Sequence, residues 1–367
     1  MISRETISEI VAGYDPSKLT VATIASHSAL QIFHGARQEG LRSLNICTRE
    51  RRATYEAFPL SKADKFMIVD EFKDILSAQV QAKLIEENAV VVPHGSFVEY
   101  VGAQEILDRF AVPMFGNRDS LKWETDRRKQ RLWLETAGLR VPKEYESPSG
   151  ISGKVFVKLS GAKGGRGFFV ADSEEEFHRK LSERVRRGIV QVNDACNVTI
   201  QEFVAGVRYY PHFFFSPIAK SGLATGAGSL ELLSMDRRIE PIDESYRGLP
   251  DVPEEFFDFT VTGNQPVILR ESLLTEILGI GARTVEKSLE LFPPGMTGPF
   301  SLETIYSPTR GFTIFEISAR IVAGTNLYPM GSPYSAYLYG EPMSTGRRIA
   351  RELKHGLEEG KLDKIVF

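Results

Sequence analysis

Short apolar runs alternate with amphipathic segments over the first 115 residues of the chain. The apolar runs have the length of buried strands, and the other segments space their apolar residues as helices do. The predicted strands are 19–26, 43–48, 65–70 and 88–96, and the predicted helices are 2–12, 27–40 and 71–88. The alternation predicts an α/β domain over 1–115, with a small parallel sheet covered by helices. Ligands of such sheets bind at the carboxyl ends of the strands.

The pattern changes to an α+β arrangement after Phe115. A charged segment, 117–142, reads as one helix stopped by Gly138 and Pro142. Beyond it the predicted strands lie within 154–172, 198–206 and 229–244, and the predicted helices are 174–188, a long helix ending near Phe292, and 344–360.

A hairpin is predicted between Gly298 and Asn326. The β-type runs 301–306 and 312–318 flank the turn sequence SPTRG. A turn centred on Thr309 and Arg310 pairs Glu303 with Glu316 directly, Ser301 with Ser318, and Ile305 with Ile314.

Two glutamates facing each other across strands are unfavourable unless a cation lies between them. Mg²⁺ uses one or two carboxylates together with substrate phosphates, so the pair Glu303 and Glu316 suits it. The alternative is a solvated face that carries two unrelated glutamates. The hairpin alone leaves both interpretations open.

Two strand ends of the first domain carry histidine and serine. Ser26, His27 and Ser28 follow the first strand, and 93–96, with the sequence PHGS, follow the fourth. Neither segment has the GxGxxG pattern of a dinucleotide site. Hydroxyls, imidazoles and backbone N–H groups at a helix start suit a small phosphorylated ligand. Structural, hydrogen-bonded histidines are the alternative.

A glycine-rich loop joins the two strands within 154–172. Glycines 161, 164, 165 and 167 allow backbone N–H groups to approach a ligand, and Lys163 and Arg166 add positive charge. A mobile lid over phosphates and a flexible hairpin both fit the loop. Lys158, on the preceding strand among apolar neighbours, needs a partner that a phosphate would supply.

Composition narrows the classes of function. The net charge of −3 gives no domain-wide basic surface for nucleic acid. No apolar segment approaches the 18 or so residues of a membrane span, and the polar start lacks the form of a secretory signal. Cys47 and Cys196 lie far apart, as expected for buried free thiols in a reducing compartment. We expect a cytoplasmic protein without membrane or nucleic-acid partners.

From about Gly116 onward, the order of Lys158, the glycine loop, the strand QEFVAG and the Glu303/Glu316 pair resembles the ATP-grasp family. Longer strings resemble the archaeal formate-dependent 5-formaminoimidazole-4-carboxamide ribonucleotide synthetases of purine (IMP) biosynthesis. These strings are PHGSFVEYVG, VKLSGAKGGRGFF, MDRRIE, ILRESLL, GPFSLE and FEISARIVAGTN. The likeness implies a small pre-ATP-grasp domain followed by a two-lobed ATP-grasp domain. The first lobe, 116–215, would carry the glycine-rich lid, and the second, 216–367, the metal-binding hairpin.

The resemblance also implies an activity. ATP phosphorylates formate to formyl phosphate, which formylates 5-aminoimidazole-4-carboxamide ribonucleotide (AICAR) to FAICAR, and ADP and phosphate are released. The implied cofactors are ATP and Mg²⁺ or Mn²⁺, and the implied assembly is a homo-oligomer, a trimer or hexamer. No protein nucleophile is required, because phosphoryl transfer depends on positioning and charge neutralisation.

Site residues follow from the resemblance position by position. His27, Ser96 and Asn264 match substrate positions, Glu303 and Glu316 match metal ligands, and Arg320 and Lys158 match catalytic positions. The positions that match ATP contacts are Lys158, Gly164, Gly165, Arg166, Glu202, Val204 and Glu231.

Two rival functions remain open at the level of sequence. Another carboxylate–amine ligase of the same fold would keep Lys158, Glu303 and Glu316. It would change the predicted substrate-binding residues, which are His27, Ser96 and Asn264. A non-catalytic nucleotide-binding paralogue would keep the ATP cleft alone. The acidic stretch 251–258 is one place where such a paralogue would differ.

Overall fold

The alternating apolar runs of the first domain form a four-stranded parallel sheet in the order β3-β2-β1-β4. The computed structural model describes residues 1–159, 168–191, 198–241 and 260–367. The strands are β1 (Thr20–Ile24), β2 (Arg42–Thr48), β3 (Lys65–Val69) and β4 (Ala89–Val91). Every residue of β1 is buried, as expected for a central strand covered on both faces.

Six helices accompany this sheet: α1 (Arg4–Ala12), α2 (Ala29–Gln38), α3 (Arg52–Glu56), α4 (Ala78–Glu86), α5 (Gly95–Val101) and α6 (Ala103–Arg109). The single helix predicted over 71–88 is wrong. A 3-10 turn, Phe72–Leu76, comes first, and Ser77 then caps α4 by accepting a hydrogen bond from the backbone N–H of Val80 at 3.3 Å. Serine favours this role because its hydroxyl satisfies a donor that the helix start leaves free.

The helix predicted over 117–142 is also two helices, α7 (Asp119–Thr125) and α8 (Arg127–Thr136). Asp126 separates them in an extended conformation and accepts from the N–H groups of Arg128 and Lys129. The next sheet has the order β5-β8-β6-β7 and is antiparallel. Its strands are β5 (Glu144–Tyr145), β6 (Val155–Leu159), β7 (Phe169–Ala171) and β8 (Val198–Glu202), with α9 (Glu174–Arg186) beside β7.

A third, six-stranded sheet carries the hairpin. Its path is β10-β11-β9-β13-β14, and β12 pairs with β11. The strands are β9 (Val207–Ser216), β10 (Leu223–Thr225), β11 (Gly228–Ile239), β12 (Gly263–Pro266), β13 (Gly298–Ser307) and β14 (Gly311–Ser318), and α10 (Leu274–Leu291) packs on one face. The predicted lobe boundary at 215/216 falls inside β9, so the change of lobe lies earlier, between β8 and β9.

The carboxyl-terminal segment returns to the first domain. Its helices are α11 (Pro333–Tyr339), α12 (Thr345–Glu358) and α13 (Leu362–Ile365). Helix α12 packs on α2 at two glycines: a Cβ on Gly35 would lie 2.3 Å from the backbone of Arg347, and one on Gly346 would lie 2.2 Å from that of Gln31. Phe367 exchanges backbone hydrogen bonds with Met114. The third predicted domain, 216–367, is therefore not self-contained.

Two expectations from composition can be compared with the structure. Among the described residues, no helix is both long and apolar enough to cross a membrane. Cys47 is a buried free thiol, and burial raises its pKa. Cys196 and the acidic stretch 251–258 lie outside the described residues.

Candidate active site

The hairpin has the predicted central register. Glu303 pairs with Glu316 and Ser301 pairs with Ser318. The prediction for the outer pair is wrong, because Thr304 rather than Ile305 lies opposite Ile314. Phe315 is an extra residue of β14 at this point, a β-bulge that shifts the pairing by one position.

The two carboxylates have unequal surroundings. Glu303 is buried and accepts an ion-paired hydrogen bond from Arg238 at 2.5 Å. Glu316 opens toward the cleft but is enclosed by protein on its other sides, and burial and then the charge of Glu303 raise its pKa. Arg238 is ion-paired with Glu303, whereas Lys158, Arg238 and Arg127 act on Glu316 through their charge. Metal binding by this pair stays a prediction.

Lys158 reaches the same place from the other lobe. It lies on β6, with its Nζ 5.2 Å from the centre of the Phe315 ring. Burial lowers the pKa of Lys158, while the charges of Glu316 and Glu303 act in the opposite direction. The cationic and acidic groups therefore face one another across the cleft between the two lobes.

A cavity of about 210 Å³ occupies this cleft. It is lined by Glu124, Thr125, Arg127, Gln130, Arg131, Leu134, Val141, Pro142, Glu144, Lys158, Phe168, Thr199, Gln201, Ile314, Phe315 and Glu316. The glycine-rich loop, including Gly164, Gly165 and Arg166, follows β6 and lies outside the described residues.

Glu202 and Val204 lie in the connection between the two lobes. Glu202 ends β8, and its carboxylate accepts from Arg310 of the hairpin turn at 2.5 Å. This arginine holds the pKa of Glu202 below its usual value. Val204 is buried just after the strand. The nucleotide contact predicted for both residues stays a prediction.

The two histidine and serine segments meet, as the adjacency of β1 and β4 requires. The rings of His27 and His94 stack with centroids 5.2 Å apart and planes 6° apart. Ser26 donates to the hydroxyl of Ser96 at 3.0 Å. Burial, together with the neighbouring His94 and Arg320, lowers the pKa of His27 to about 3, so its ring is neutral at pH 7.

Arg320 links this cluster to the hairpin. A Cβ on Gly95 would lie 3.0 Å from His27 Nε2 and 3.3 Å from Arg320 Cζ, so both side chains crowd this glycine. Arg320 donates to Glu124 at 3.0 Å, and its buried Nε has no hydrogen-bond partner among the described residues. The guanidinium thus stands between the first domain and the strand that carries Glu316.

Asn264 lies on the same face of the large sheet as the acidic pair. It is opposite Arg238 in the β11–β12 register, and Arg238 reaches Glu303. Paired residues of antiparallel strands point to one face. The amide of Asn264 donates to Asp236 at 2.6 Å.

Glu231 is not among the residues that the structure brings to the cleft. It is buried near the other end of β11, where one oxygen accepts from Ser221 and Arg348 and the other accepts from Arg348 and Tyr339. Both oxygens are therefore occupied by protein. This arrangement does not favour the ATP contact predicted for Glu231, which stays a prediction.

Sequence reasoning missed Arg238, Glu124 and Asp236. Arg238 and Asp236 lie two positions apart in the string MDRRIE, and this spacing on a strand could have placed them on one face. No local sequence pattern predicts a role for Glu124, because its partner Arg320 lies in a distant segment of the chain. Within the described residues, no group of three or more acidic, histidine or cysteine side chains forms a complete metal site.

Family models match two parts of the chain. A model described as "Protein of unknown function (DUF1246)" matches residues 21–145, and one described as "Domain of unknown function (DUF1297)" matches residues 176–367. These descriptions carry no activity.

Curated relatives match over the full length. The chain is 56% identical to a 5-formaminoimidazole-4-carboxamide-1-(beta)-D-ribofuranosyl 5'-monophosphate synthetase of Korarchaeum cryptofilum and 48% identical to the protein of that name from Methanococcoides burtonii. The alignments cover 100% of this chain and of each relative.

Solved structures agree with these relatives. The crystal structure of an IMP biosynthesis protein PurP from Thermococcus kodakaraensis is similar with a TM-score of 0.72 and 33% identity, covering 95% of this chain and 100% of that one. An ADP complex of purK, N5-carboxyaminoimidazole ribonucleotide synthetase, has a TM-score of 0.63 at 14% identity over 93% of this chain and 78% of that one, which shows the fold alone.

Fold and cleft together define the class: the chain is an ATP-grasp ligase. Within that class, it belongs to the family of 5-formaminoimidazole-4-carboxamide-1-(beta)-D-ribofuranosyl 5'-monophosphate synthetases.

Proposed function

We propose that this chain catalyses the ATP- and formate-dependent formylation of AICAR to FAICAR, with release of ADP and phosphate, in IMP biosynthesis. The observation that carries the proposal is the position of Arg320. It lies beside the neutral His27 of the first domain and is ion-paired with Glu124, which lines the same cavity as Glu316 of the hairpin. A reaction that joins an activated carboxylate to an amine needs such a meeting point for two substrates.

The first step is phosphoryl transfer. A formate oxygen attacks the γ-phosphorus of ATP, the bond to the bridging oxygen breaks, and formyl phosphate and ADP form. Lys158 would neutralise phosphate charge from β6, and the hinge at Glu202 and Val204 would hold the adenine end. Positioning and charge neutralisation account for most of the catalysis in such transfers.

Mg²⁺ fits the residues present. Two facing glutamates share one arginine, and carboxylate oxygens are the hard ligands that this ion prefers. When bound, it would neutralise charge on the ATP phosphates beside Glu303 and Glu316. Because the protein supplies few ligands, the remaining coordination would come from phosphate oxygens and water. Mn²⁺ accepts the same oxygen ligands.

The second step forms the C–N bond. The substrate amine attacks the formyl carbon, phosphate leaves, and the amine nitrogen loses a proton, for which the departing phosphate is an acceptor. His27 would bind and orient the ribonucleotide together with Ser96. A histidine with a pKa of about 3 is a poor general base at neutral pH, which supports an orienting role.

Phosphate release tests the proposal and its rivals. Release that requires formate and AICAR together supports the synthetase. Release with another carboxylate and amine supports a different ligase, and ATP binding without release supports a non-catalytic paralogue. Release that is indifferent to both substrates would overturn the assignment.

We also expect a homo-oligomer, a trimer or hexamer, that acts in the cytoplasm. The side chains of Ile268, Met330 and Tyr337, on or beside α11, are 65%, 63% and 86% exposed, as expected for residues covered by a second copy. Light scattering of the purified protein measures the assembly directly. A monomer at micromolar concentration would contradict this expectation.

A further inference from the structure

Asp236 sits behind Asn264 on the cleft face of the large sheet. It is 1% exposed, and the 3-10 helix Ala323–Leu327 packs against it so closely that a Cβ on Gly324 would lie 2.3 Å from its Oδ1. Asp236 therefore has little freedom to move. Its two oxygens have two distinct partners.

The partners fix a direction of hydrogen bonding. A carboxylate only accepts, so each neighbour must donate to it. His212 donates from Nε2 to Oδ1 at 2.7 Å, and Asn264 donates from Nδ2 to Oδ2 at 2.6 Å. Ser234 engages the other ring nitrogen of His212 at 2.7 Å.

This direction determines what Asn264 offers to a ligand. One of its two amide N–H groups is committed to Asp236, which fixes the orientation of the amide and leaves the carbonyl oxygen Oδ1 as its acceptor for the cleft. Within the described part of the chain, this oxygen has no hydrogen-bond partner. Oδ1 carries only lone pairs, and a ligand group bound there has to be a hydrogen-bond donor.

We propose that Asp236 is a positioning residue that makes Asn264 a hydrogen-bond acceptor for an N–H group of the ribonucleotide substrate. The inference rests on the proposed function and adds to it which end of the substrate Asn264 reads. AICAR has N–H groups on its amine and its carboxamide, whereas its phosphate has none to offer at neutral pH. Bound through Oδ1, Asn264 reads the imidazole end and not the phosphate. The ribose hydroxyls also donate, so equal affinity for AICAR and both analogues below would place Oδ1 at the ribose and overturn the inference.

A selectivity follows from this arrangement. The analogue with a carboxylate in place of the carboxamide, 5-aminoimidazole-4-carboxylate ribonucleotide, brings an acceptor where the carboxamide brings a donor. The analogue without the amine, imidazole-4-carboxamide ribonucleotide, lacks the other donor. A buried polar group left without its partner costs about 1–3 kcal/mol, so at least one analogue should bind about tenfold more weakly than AICAR.

The variant Asp236→Asn tests the positioning role by reversing the direction. Its Oδ1 still accepts from His212, and its new amide nitrogen faces Asn264. The amide of Asn264 then turns over to accept, and presents N–H to the cleft. Calorimetric titration of the ADP-loaded protein should show AICAR binding weakened about tenfold or more, and its preference over the disfavoured analogue lost or inverted.

Two further variants separate positioning from loss of structure. Ser234→Ala removes the far end of the network and leaves the bond between Asp236 and Asn264, so the preference among ligands should survive. Asn264→Ala removes the acceptor and should abolish the preference without inverting it, even if Asp236→Asn folds poorly. In both Asp236→Asn and Asn264→Ala, the KM for AICAR should rise while the KM for ATP stays within about twofold.

The outcomes distinguish this inference from the proposed function. Equal preferences in wild-type protein, Asp236→Asn and Asn264→Ala would overturn the inference, even if formate-dependent phosphate release is normal. Loss of preference in Ser234→Ala as well would overturn it too, because a general loosening would then explain all three variants. Absence of formate-dependent release in wild-type protein would instead overturn the proposed function.

Discussion

Two pairs of glutamates lie near the same large sheet, and they have opposite surroundings. Glu231 and Glu352 both bind Arg348, whose side chain is buried between them, and protein donors occupy the oxygens of Glu231. Glu303 and Glu316 face each other with Arg238 on the first only. Within the described residues no hydrogen bond reaches the carboxylate of Glu316, on which Lys158, Arg238 and Arg127 act through their charge. The hydrogen bonding of the first pair is therefore complete within the protein, and that of the second is not.

The hydrogen-bond partners of the two pairs distinguish a structural acidic pair from a functional one. Burial of a charge is costly unless partners compensate it, so a complete network indicates a role in holding segments together. Arg348 lies on α12, and its network joins the carboxyl-terminal helix to β11. An incomplete pair that opens into a cleft indicates a place for a ligand.

The largest expected effect is that of Glu316→Gln. The substitution keeps the size of the side chain and removes charge from the proposed metal site, so kcat should fall by at least about 10²–10³-fold. Because it also removes a repulsion with Glu303, the Tm should stay the same or rise. Steady-state kinetics at saturating Mg²⁺ and thermal unfolding measure the two quantities.

Near-normal turnover of Glu316→Gln at saturating Mg²⁺ would contradict the assignment of the pair to metal binding. A matched change in the complete pair, Glu231→Gln, provides the control for simple loss of a buried negative charge.

Glu231→Gln should act on stability instead of turnover. It leaves Arg348 paired with Glu352 alone and weakens the remaining hydrogen bonds of a buried network, which typically costs about 1–3 kcal/mol. Denaturant unfolding should show this loss, while the KM for ATP of the folded fraction stays near the wild-type value. A rise in the KM for ATP with unchanged stability would mean that Glu231 contacts ATP and is not a purely structural residue.

The local parts of the fold were predictable from the sequence. The alternation of apolar runs gave the parallel sheet, and the adjacency of parallel strand ends explains why His27 and Ser96 meet. The breaks at Ser77 and Asp126 were missed, although serine and aspartate are residues that start helices. The helical spacing of apolar residues continues past Ser77 and past Asp126. It therefore predicted one long helix in each place, although each of these residues can cap the start of a new helix.

Long-range features were less accessible. The packing of α12 on α2 depends on Gly35 and Gly346, which are 311 positions apart in sequence. Two partners of Glu231, Tyr339 and Arg348, lie on α11 and α12, more than 100 positions away, and no local sequence pattern predicts these contacts. The bulge at Phe315 could not be predicted from the sequence either. It changes the pairing of Ile305, but it leaves Glu303 opposite Glu316, as the alternation of side chains predicts.

His27→Ala tests whether the cleft residues of the first domain act on binding alone. If His27 orients the ribonucleotide, the KM for AICAR should rise about tenfold or more, and the KM for ATP should stay nearly constant. Initial rates with each substrate varied in turn give both constants. A fall in kcat of about 10²–10⁴-fold at unchanged AICAR affinity would show that His27 moves a proton.

The pH dependence of stability gives a smaller effect at the same cluster. Burial is the main cause that lowers the pKa of His27 to about 3 and that of His94 to about 4. An unfolded histidine takes up its proton near pH 6.5, so between about pH 6.5 and 4 the unfolded state binds more protons. Stability therefore falls as the pH falls through this window.

The variant His27→Asn removes one of the two titrations. The slope of the unfolding free energy against pH between 6.5 and 4 should decrease by up to about 1.4 kcal/mol per pH unit. Unfolding curves at several pH values measure it. An unchanged slope would mean that His27 is protonated in the folded protein, and its orienting role as a neutral ring would need revision.

The smallest expected effect concerns Arg310 and Glu202, an acidic group that belongs to neither pair. Arg310 is 42% exposed in its contact with Glu202, and exposed ion pairs contribute about 0.2–1 kcal/mol. Arg310→Ala should therefore lower stability by less than about 1 kcal/mol, and salt should erase the difference from wild-type protein. Because Glu202 ends the strand before the hinge, the KM for ATP is the sensitive readout. A rise of the KM for ATP above about tenfold would show that Arg310 fixes the orientation of Glu202 for the nucleotide. Glu202 would then be a third kind of acidic site, one whose hydrogen bonds come from the protein but whose function is to bind a ligand.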